Sequence, residues 1–188
     1  MNGTLDQGQI VGGRWRIDQY LASGGFGQVY SATDVSSAAI GSVAVKVLLE
    51  GASTAERQSF LAEAVHMSAL RHPNLVAHID SGMLADDDGA VFLVIDLCDE
   101  SLREHCDRQT SGTLRPERLQ GLVQDIGAGL DYLHRSGRVH RDLKPGNILR
   151  AADRWKLADF GLVRDLSQSG VYHLQSLVGS PRYMAPEF

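Results

Sequence analysis

The sequence predicts an α+β fold in two parts, the first rich in strands and the second rich in helices. Three observations carry this. Short runs of β-branched and alternating residues, such as 42–49, dominate the chain up to Ile95. A single stretch of helical period interrupts them at 55–70. Beyond residue 96, Leu119, Leu122, Val123, Ile126, Leu130 and Leu133 form an apolar stripe along one long helix.

Taken in order, residues 1–13 are Gly-rich and polar and read as a flexible tail. Residues 14–22 and 28–33 flank a glycine cluster, which places the glycines in a hairpin. Residues 34–41 form a turn, and 42–49 a third strand. In the helix that follows, Phe60, Ala64, Met67 and either Leu70 or Arg71 recur on one face. His72-Pro73-Asn74 ends it, because proline disfavours helical geometry in the residue before it. Residues 75–80 and 90–95 read as two further strands. Asp86-Asp87-Asp88-Gly89 between them is a solvated turn, since the spacing and closing Glu of a calcium loop are absent. Short strands return at Ile148-Leu149 and Lys156-Leu157. The domain expectation is a tail at 1–13, a β-rich lobe with one helix at 14–95, and a helix-rich part at 96–188.

Bulk properties narrow the function classes. The 188 residues are 43% hydrophobic, with no apolar run near the roughly 20 residues that span a bilayer. The polar start Met1-Asn2-Gly3-Thr4 is not a signal peptide. A net charge of −5 argues against general nucleic-acid affinity. Two cysteines, Cys98 and Cys106, fit a reducing, cytoplasmic compartment better than a disulfide framework, and they lack the paired spacing of a zinc site.

The chemistry concentrates in five motifs. His140-Arg141-Asp142-Leu143-Lys144-Pro145-Gly146-Asn147 puts a carboxylate, an ammonium and an amide on one short loop. These are the groups that phosphoryl transfer needs: one to orient an acceptor hydroxyl, one to balance phosphate charge, one to hold a metal ion. Upstream lie Ser23-Gly24-Gly25-Phe26-Gly27-Gln28-Val29 and Val43-Ala44-Val45-Lys46; downstream lie Asp159-Phe160-Gly161 and Ala185-Pro186-Glu187. The glycine cluster alone is weak. A dinucleotide-binding reading needs a helix after it, whereas 28–31 looks like a returning strand, and no Gly-Lys-Ser/Thr marks a Walker loop. Lys46, charged in the middle of an apolar strand, calls for a partner.

Together the five motifs resemble the protein-kinase family, in its serine/threonine branch, from about Trp15 to the last residue. The phrasing of the glycine loop and of Gly179-Ser180-Pro181-Arg182-Tyr183-Met184-Ala185-Pro186-Glu187 is similar to bacterial members. The resemblance implies a two-lobed kinase-like fold and transfer of the ATP γ-phosphate to serine or threonine hydroxyls of proteins, autophosphorylation included. Asp142 and Lys144 would be catalytic, and Lys46 would pair with Glu63 and reach the α- and β-phosphates. Asn147 and Asp159 would hold Mg²⁺, with Mn²⁺ as an alternative ion. Leu21, Gly24, Gly27, Val29, Ala44 and Leu149 would enclose the nucleotide. The Asp96 carbonyl and Cys98 amide would bond the adenine edge, with Ile95 behind it. His140 would be structural, and Met67 and Phe160 would belong to an internal apolar column whose fourth-strand member is His78. The partners implied are ATP and protein substrates, with no nucleic acid and no membrane contact by this segment.

The family pattern also has departures. Ala22 stands where the first glycine is usual, and Asp99-Glu100-Ser101-Leu102 is short and lacks the common glycines. Residues 159–187 bracket an activation segment offering Ser167, Ser169, Tyr172 and Ser176, with Arg141 placed to pair with a phosphate there. Ser180 reads as a structural contact to Asp142 and Lys144. The end at Phe188 leads to the expectation of an amino-terminal piece of a longer protein, membrane-anchored through a later region, with an incomplete helical lobe. The alternative function is a catalytically weak or inactive nucleotide-binding fragment, or a pseudokinase scaffold.

Overall fold

The computed structural model describes residues 5–24, 27–37, 40–48, 52–84, 90–109, 116–159, 164–165 and 180–183. The chain divides into two units, Met1–Ala69 with Ala77–Leu97, and Leu70–Val76 with Cys98–Phe188.

The first unit is a six-stranded sheet in the order β1-β2-β3-β4-β6-β5. Its strands are β1 (Ile10–Val11), β2 (Trp15–Gly24), β3 (Gly27–Asp34), β4 (Ser42–Val47), β5 (His78–Met83) and β6 (Val91–Asp96), and every pairing is antiparallel. Period-two alternation sorts the faces. Val43, Val45 and Val47 point into a core with Trp15, Ile17, Tyr30, Ala32, Phe92 and Val94. Ala44 and Lys46 therefore belong to the opposite face. There Lys46 lies opposite Val29 on one side and Leu93 on the other, and Ala44 opposite Ser31 and Ile95.

Helix α1 (Thr54–Ser68) starts where Ser53 and Glu56 satisfy each other's backbone donors in a capping box. Phe60, Ala64 and Met67 are buried, as their spacing predicts.

Two sequence expectations need correction here. Residues from Leu5 onward are not a loose tail. Leu5 and Val11 are buried, the Leu5 amide donates to the Tyr30 hydroxyl at 3.1 Å, and Ile10–Val11 pairs with Trp15–Arg16. Two apolar side chains among glycines suffice to dock the segment, and a glycine-based composition hides that. The strand expected at 75–80 begins instead at His78. Leu75 forms a single parallel bridge to Leu157, and the Val76 amide donates to the Leu157 carbonyl at 2.8 Å, so these residues belong to the second unit. Asp86-Asp87-Asp88-Gly89 lies outside the described residues.

The second unit contains β7 (Glu100–Ser101), α2 (Leu102–Asp107), α3 (Pro116–Arg135), β8 (Arg138–Val139), β9 (Ile148–Ala151), β10 (Arg154–Leu157) and β11 (Arg164–Asp165). Strands β10, β9 and β7 form one small sheet, and β11 pairs with β8. Leu122, Ile126 and Leu133 of the α3 stripe are buried, whereas Leu119 and Val123 are exposed. Helix α3 lies close against residues 74–75 and β10. A Cβ on Gly129 would sit 3.0 Å from the Asn74 carbonyl oxygen and 3.1 Å from a Leu157 methyl. Asp125 accepts the Trp155 backbone N–H at 2.9 Å and fixes the register of helix on hairpin. Helix α2 was not foreseen as a separate element. Its signal is the Ser101-x-x-Glu104 capping box, present in the structure and legible in the sequence. No helix among the described residues is long and apolar enough to cross a membrane.

Candidate active site

The loop between β8 and β9 is built around His140. The ring is buried; Nε2 donates to the Ala158 carbonyl at 3.0 Å, and Nδ1 accepts the Asp142 N–H at 3.4 Å. Only a neutral imidazole can do both. Burial lowers its pKa and outweighs the opposing pull of the Ala158 carbonyl, Asp159 and Asp142. His140 is thus structural, tying the segment that carries Asp142 to the segment that carries Asp159. Arg141 and Asp159 both adopt left-handed backbone, at φ 69° and 65°, which non-glycine residues rarely tolerate without surrounding constraint.

Asp142 is buried, and its carboxylate is crowded with donors. Lys144 Nζ lies 2.6 Å and Asn147 Nδ2 3.0 Å from Oδ2, and Ser180 Oγ donates to Oδ1 at 2.8 Å. Burial alone would raise the carboxyl pKa. The hydrogen bonds from Lys144 and Ser180, the charge of Lys144 and the bond from Asn147 together outweigh it and hold the group below its usual value. Asp142 is therefore an ionised acceptor at neutral pH, already engaged with a serine hydroxyl. That geometry can receive and orient a hydroxyl proton.

Asn147 closes a short 3₁₀ turn, Pro145–Asn147. Its Nδ2 also donates to the Asp142 backbone carbonyl at 2.9 Å, so both contacts to Asp142 use the amide nitrogen and the amide oxygen is turned to the other side. The Asn147 backbone carbonyl accepts the Ala158 N–H at 2.9 Å, next to Asp159. An amide oxygen and a half-buried carboxylate are hard donors that suit a small divalent cation completing its shell with phosphate and water. Among the described residues no cluster of three or more His, Cys, Asp or Glu side chains forms a protein-only metal cage.

The remaining candidate residues fall as follows. In the first unit, Gly24 pairs with Gly27 at the end of the β2–β3 hairpin, and Ala22 lies opposite Val29. Gly27, at φ 145°, cannot carry a side chain, since a Cβ would lie 2.1 Å from the Val47 carbonyl oxygen. Leu21 is an exposed bulge residue in β2. Val29, Ala44 and Lys46 share one sheet face, and Lys46 Nζ lies 5.6 Å from the centre of the buried Phe60 ring, a cation–π contact that spacing alone did not reveal. Glu63 is on α1, but its side chain lies outside the described residues. Asp96 ends β6, with Oδ2 accepting the Ala77 N–H at 3.0 Å. His78 pairs with Ile95, and its Nε2 lies 3.2 Å from Ser81 Oγ. In the second unit, Cys98 is half-buried, and Leu149 in β9 lies between Ser101 and Lys156. The second unit thus brings Asp142, Lys144, Asn147 and Ser180 together. Phe160, Gly25, Phe26, the hydroxyls at Ser167, Ser169, Tyr172 and Ser176, and Ala185-Pro186-Glu187 lie outside the described residues.

Residues 15–188 match the family described as the protein kinase domain. A probable serine/threonine-protein kinase of Streptomyces coelicolor is 34% identical over 97% of this chain and 28% of its own length. PrkC, a serine/threonine-protein kinase of Bacillus subtilis, is 32% identical over 96% of this chain and 27% of its own. A Myxococcus xanthus serine/threonine-protein kinase, pkn2, is 35% identical over 95% and 22%. The chain therefore spans less than a third of the length of these relatives. A solved kinase domain superposes with a TM-score of 0.84, covering 98% of this chain and 60% of that one, and at 21% identity it speaks for the fold alone. Five motifs in order, a carboxylate held ionised on the loop between β8 and β9, and a family match from Trp15 to the last residue lead to one conclusion: this chain belongs to the protein kinase family.

Proposed function

We propose that the protein is a serine/threonine protein kinase that transfers the ATP γ-phosphate to hydroxyls of protein substrates, itself included. The observation that carries this reading is the Asp142 carboxylate, kept ionised and bonded to a serine hydroxyl at 2.8 Å. ATP would supply the phosphoryl group, and a divalent cation such as Mg²⁺, held by Asn147 and Asp159, would neutralise charge on its oxygens. Asp142 accepts the hydrogen bond of the acceptor hydroxyl and aims its oxygen. Lys144 keeps Asp142 ionised and balances phosphate charge, and its place two residues after Asp142 favours the serine/threonine class. Asn147 and Asp159 are the metal-holding residues. Lys46, with Glu63 as its partner, engages the α- and β-phosphates, and Leu21, Gly24, Gly27, Val29, Ala44, Asp96, Cys98 and Leu149 enclose the nucleotide.

The test is incubation with γ-labelled ATP and Mg²⁺, followed by phosphoamino-acid analysis. Label on serine or threonine that disappears on chelation supports the reading. Label on tyrosine alone, or transfer that ignores chelation, refutes the class or the metal role. ATP binding with no transfer under any metal would favour the scaffold alternative.

A further inference from the structure

The protein has a net charge of −5, yet the turn bonded to Asp142 carries an exposed arginine, Arg182, and a second, Arg103, reaches that turn from α2. Ser180 Oγ bonds Asp142, so the 3₁₀ turn Pro181–Tyr183 begins at the catalytic group, and the Tyr183 N–H closes it on the Ser180 carbonyl at 2.9 Å. Arg103, exposed on α2, reaches this turn, and its Nη2 donates to the Tyr183 hydroxyl at 3.0 Å. A phenol accepts that bond without neutralising the guanidinium.

Acidic neighbours form no ion pair with it: Glu104 of α2 is engaged by the Ser101 backbone and hydroxyl, Glu100 of β7 by His105, Arg108 and Arg150, and Asp107, four residues on in α2, is exposed to solvent. Among the described residues no carboxylate forms an ion pair with Arg103 or with Arg182, which is exposed on the same turn. An un-neutralised, planar fork of N–H donors is complementary to carboxylate and phosphate.

We propose that Arg103, with Arg182 beside it, selects acceptor segments that carry an anionic side chain, carboxylate or phosphate, near the serine or threonine to be modified. The inference rests on the phosphotransfer reading above and adds to it the class of substrate. Its opposite is an ordinary solvated surface arginine, which would leave substrate choice untouched.

The test measures kcat/KM on serine peptides identical except for one flanking residue, which is Gln, Glu, phosphoserine or Lys. The Glu and phosphoserine peptides should lead the Gln peptide by about two- to fivefold, the scale of an exposed charge-assisted contact. The ratio should fall toward one in Arg103→Gln and invert in favour of the Lys peptide in Arg103→Glu. A lead held by phosphoserine alone assigns the anion to previously phosphorylated substrates, and a lead shared with Glu to acidic ones. Equal values for all four peptides, or an acid preference that persists in Arg103→Glu, overturns the inference. Absence of transfer to every peptide refutes the phosphotransfer reading instead. Fluorescence anisotropy with the same peptides then decides the inference on binding alone: acid-selective, charge-reversible binding supports it, and indifferent binding overturns it.

Discussion

Asp142 illustrates how a few atoms set a chemical state. The Lys144, Ser180 and Asn147 donors hold its carboxyl below the ordinary value near 3.8, so its share of stability is complete above that value and disappears as pH falls through the lower, folded one. Ser180→Ala removes one of these donors. The acid limb of the kcat profile should then move to higher pH, while Ser180→Thr should leave it in place. An unmoved limb in the alanine variant would show that the Ser180 contact has no hold on Asp142. His140 behaves in the opposite sense to a surface histidine. Its folded pKa is lowered, so the unfolded chain binds the extra proton first. Its contribution is complete above about pH 6.5 and declines as pH falls toward the folded value. His140→Leu leaves the Ala158 carbonyl and the Asp142 N–H unpaired and should cost about 1–3 kcal/mol for each buried group that finds no water. Urea unfolding at pH 8 and pH 5.5 checks both statements: the gap between wild type and variant should shrink at the lower pH. That these loop residues gather at one place was legible in the sequence because eight consecutive residues encode them. The hydrogen bond from His140 Nε2 to the Ala158 carbonyl was not, because Ala158 lies eighteen positions further along the chain.

At the scale of elements, close approaches decide which substitutions the fold tolerates. Gly129→Ala would press a methyl to 3.0 Å from the Asn74 carbonyl oxygen, which is backbone and cannot rotate away. The expected loss is about 1–3 kcal/mol, the range for overpacking, although alanine is the better helix former. An increase in the chemical denaturation midpoint would show that α3 is not held against residues 74–75 as described. Gly27→Ala meets the Val47 carbonyl at 2.1 Å and adds strain at φ 145°, so it should weaken both stability and ATP affinity. Wild-type ATP affinity together with wild-type stability would contradict the position given to the hairpin. The strands and helix of the first unit were readable because β-branched alternation and helical period speak locally. Two misreadings have a common cause. Leu75 and Val76 are apolar and extended, so they look like the start of β5, yet their partner is Leu157, more than eighty residues away. Leu5 and Val11 are buried because they meet Tyr30 and Trp15 in the folded sheet, and no local pattern announces that. Helix α2 could have been found from its capping box alone.

For the whole molecule, the protein kinase family follows from residues spread over nearly the entire chain, and from relatives whose own length is more than three times this one. What the two units supply differs in kind. The first contributes a sheet face bearing Val29, Ala44 and Lys46, and the second a loop on which Asp142, Lys144, Asn147 and Ser180 meet. On the proposed roles, nucleotide handling by Lys46 and acceptor handling by Asp142 should separate under mutation. Asp142→Asn keeps the size and hydrogen-bonding reach of the side chain but removes the ionised acceptor. The decisive measurement is the rate of γ-phosphate transfer to a serine peptide by Asp142→Asn and by wild type, with ATP affinity measured on the same samples. Loss of a positioned base should lower kcat by about 10²–10⁴-fold while ATP affinity stays within about twofold. Transfer at the wild-type rate by the asparagine variant would show that Asp142 does not handle the acceptor hydroxyl, and the assigned chemistry would be wrong.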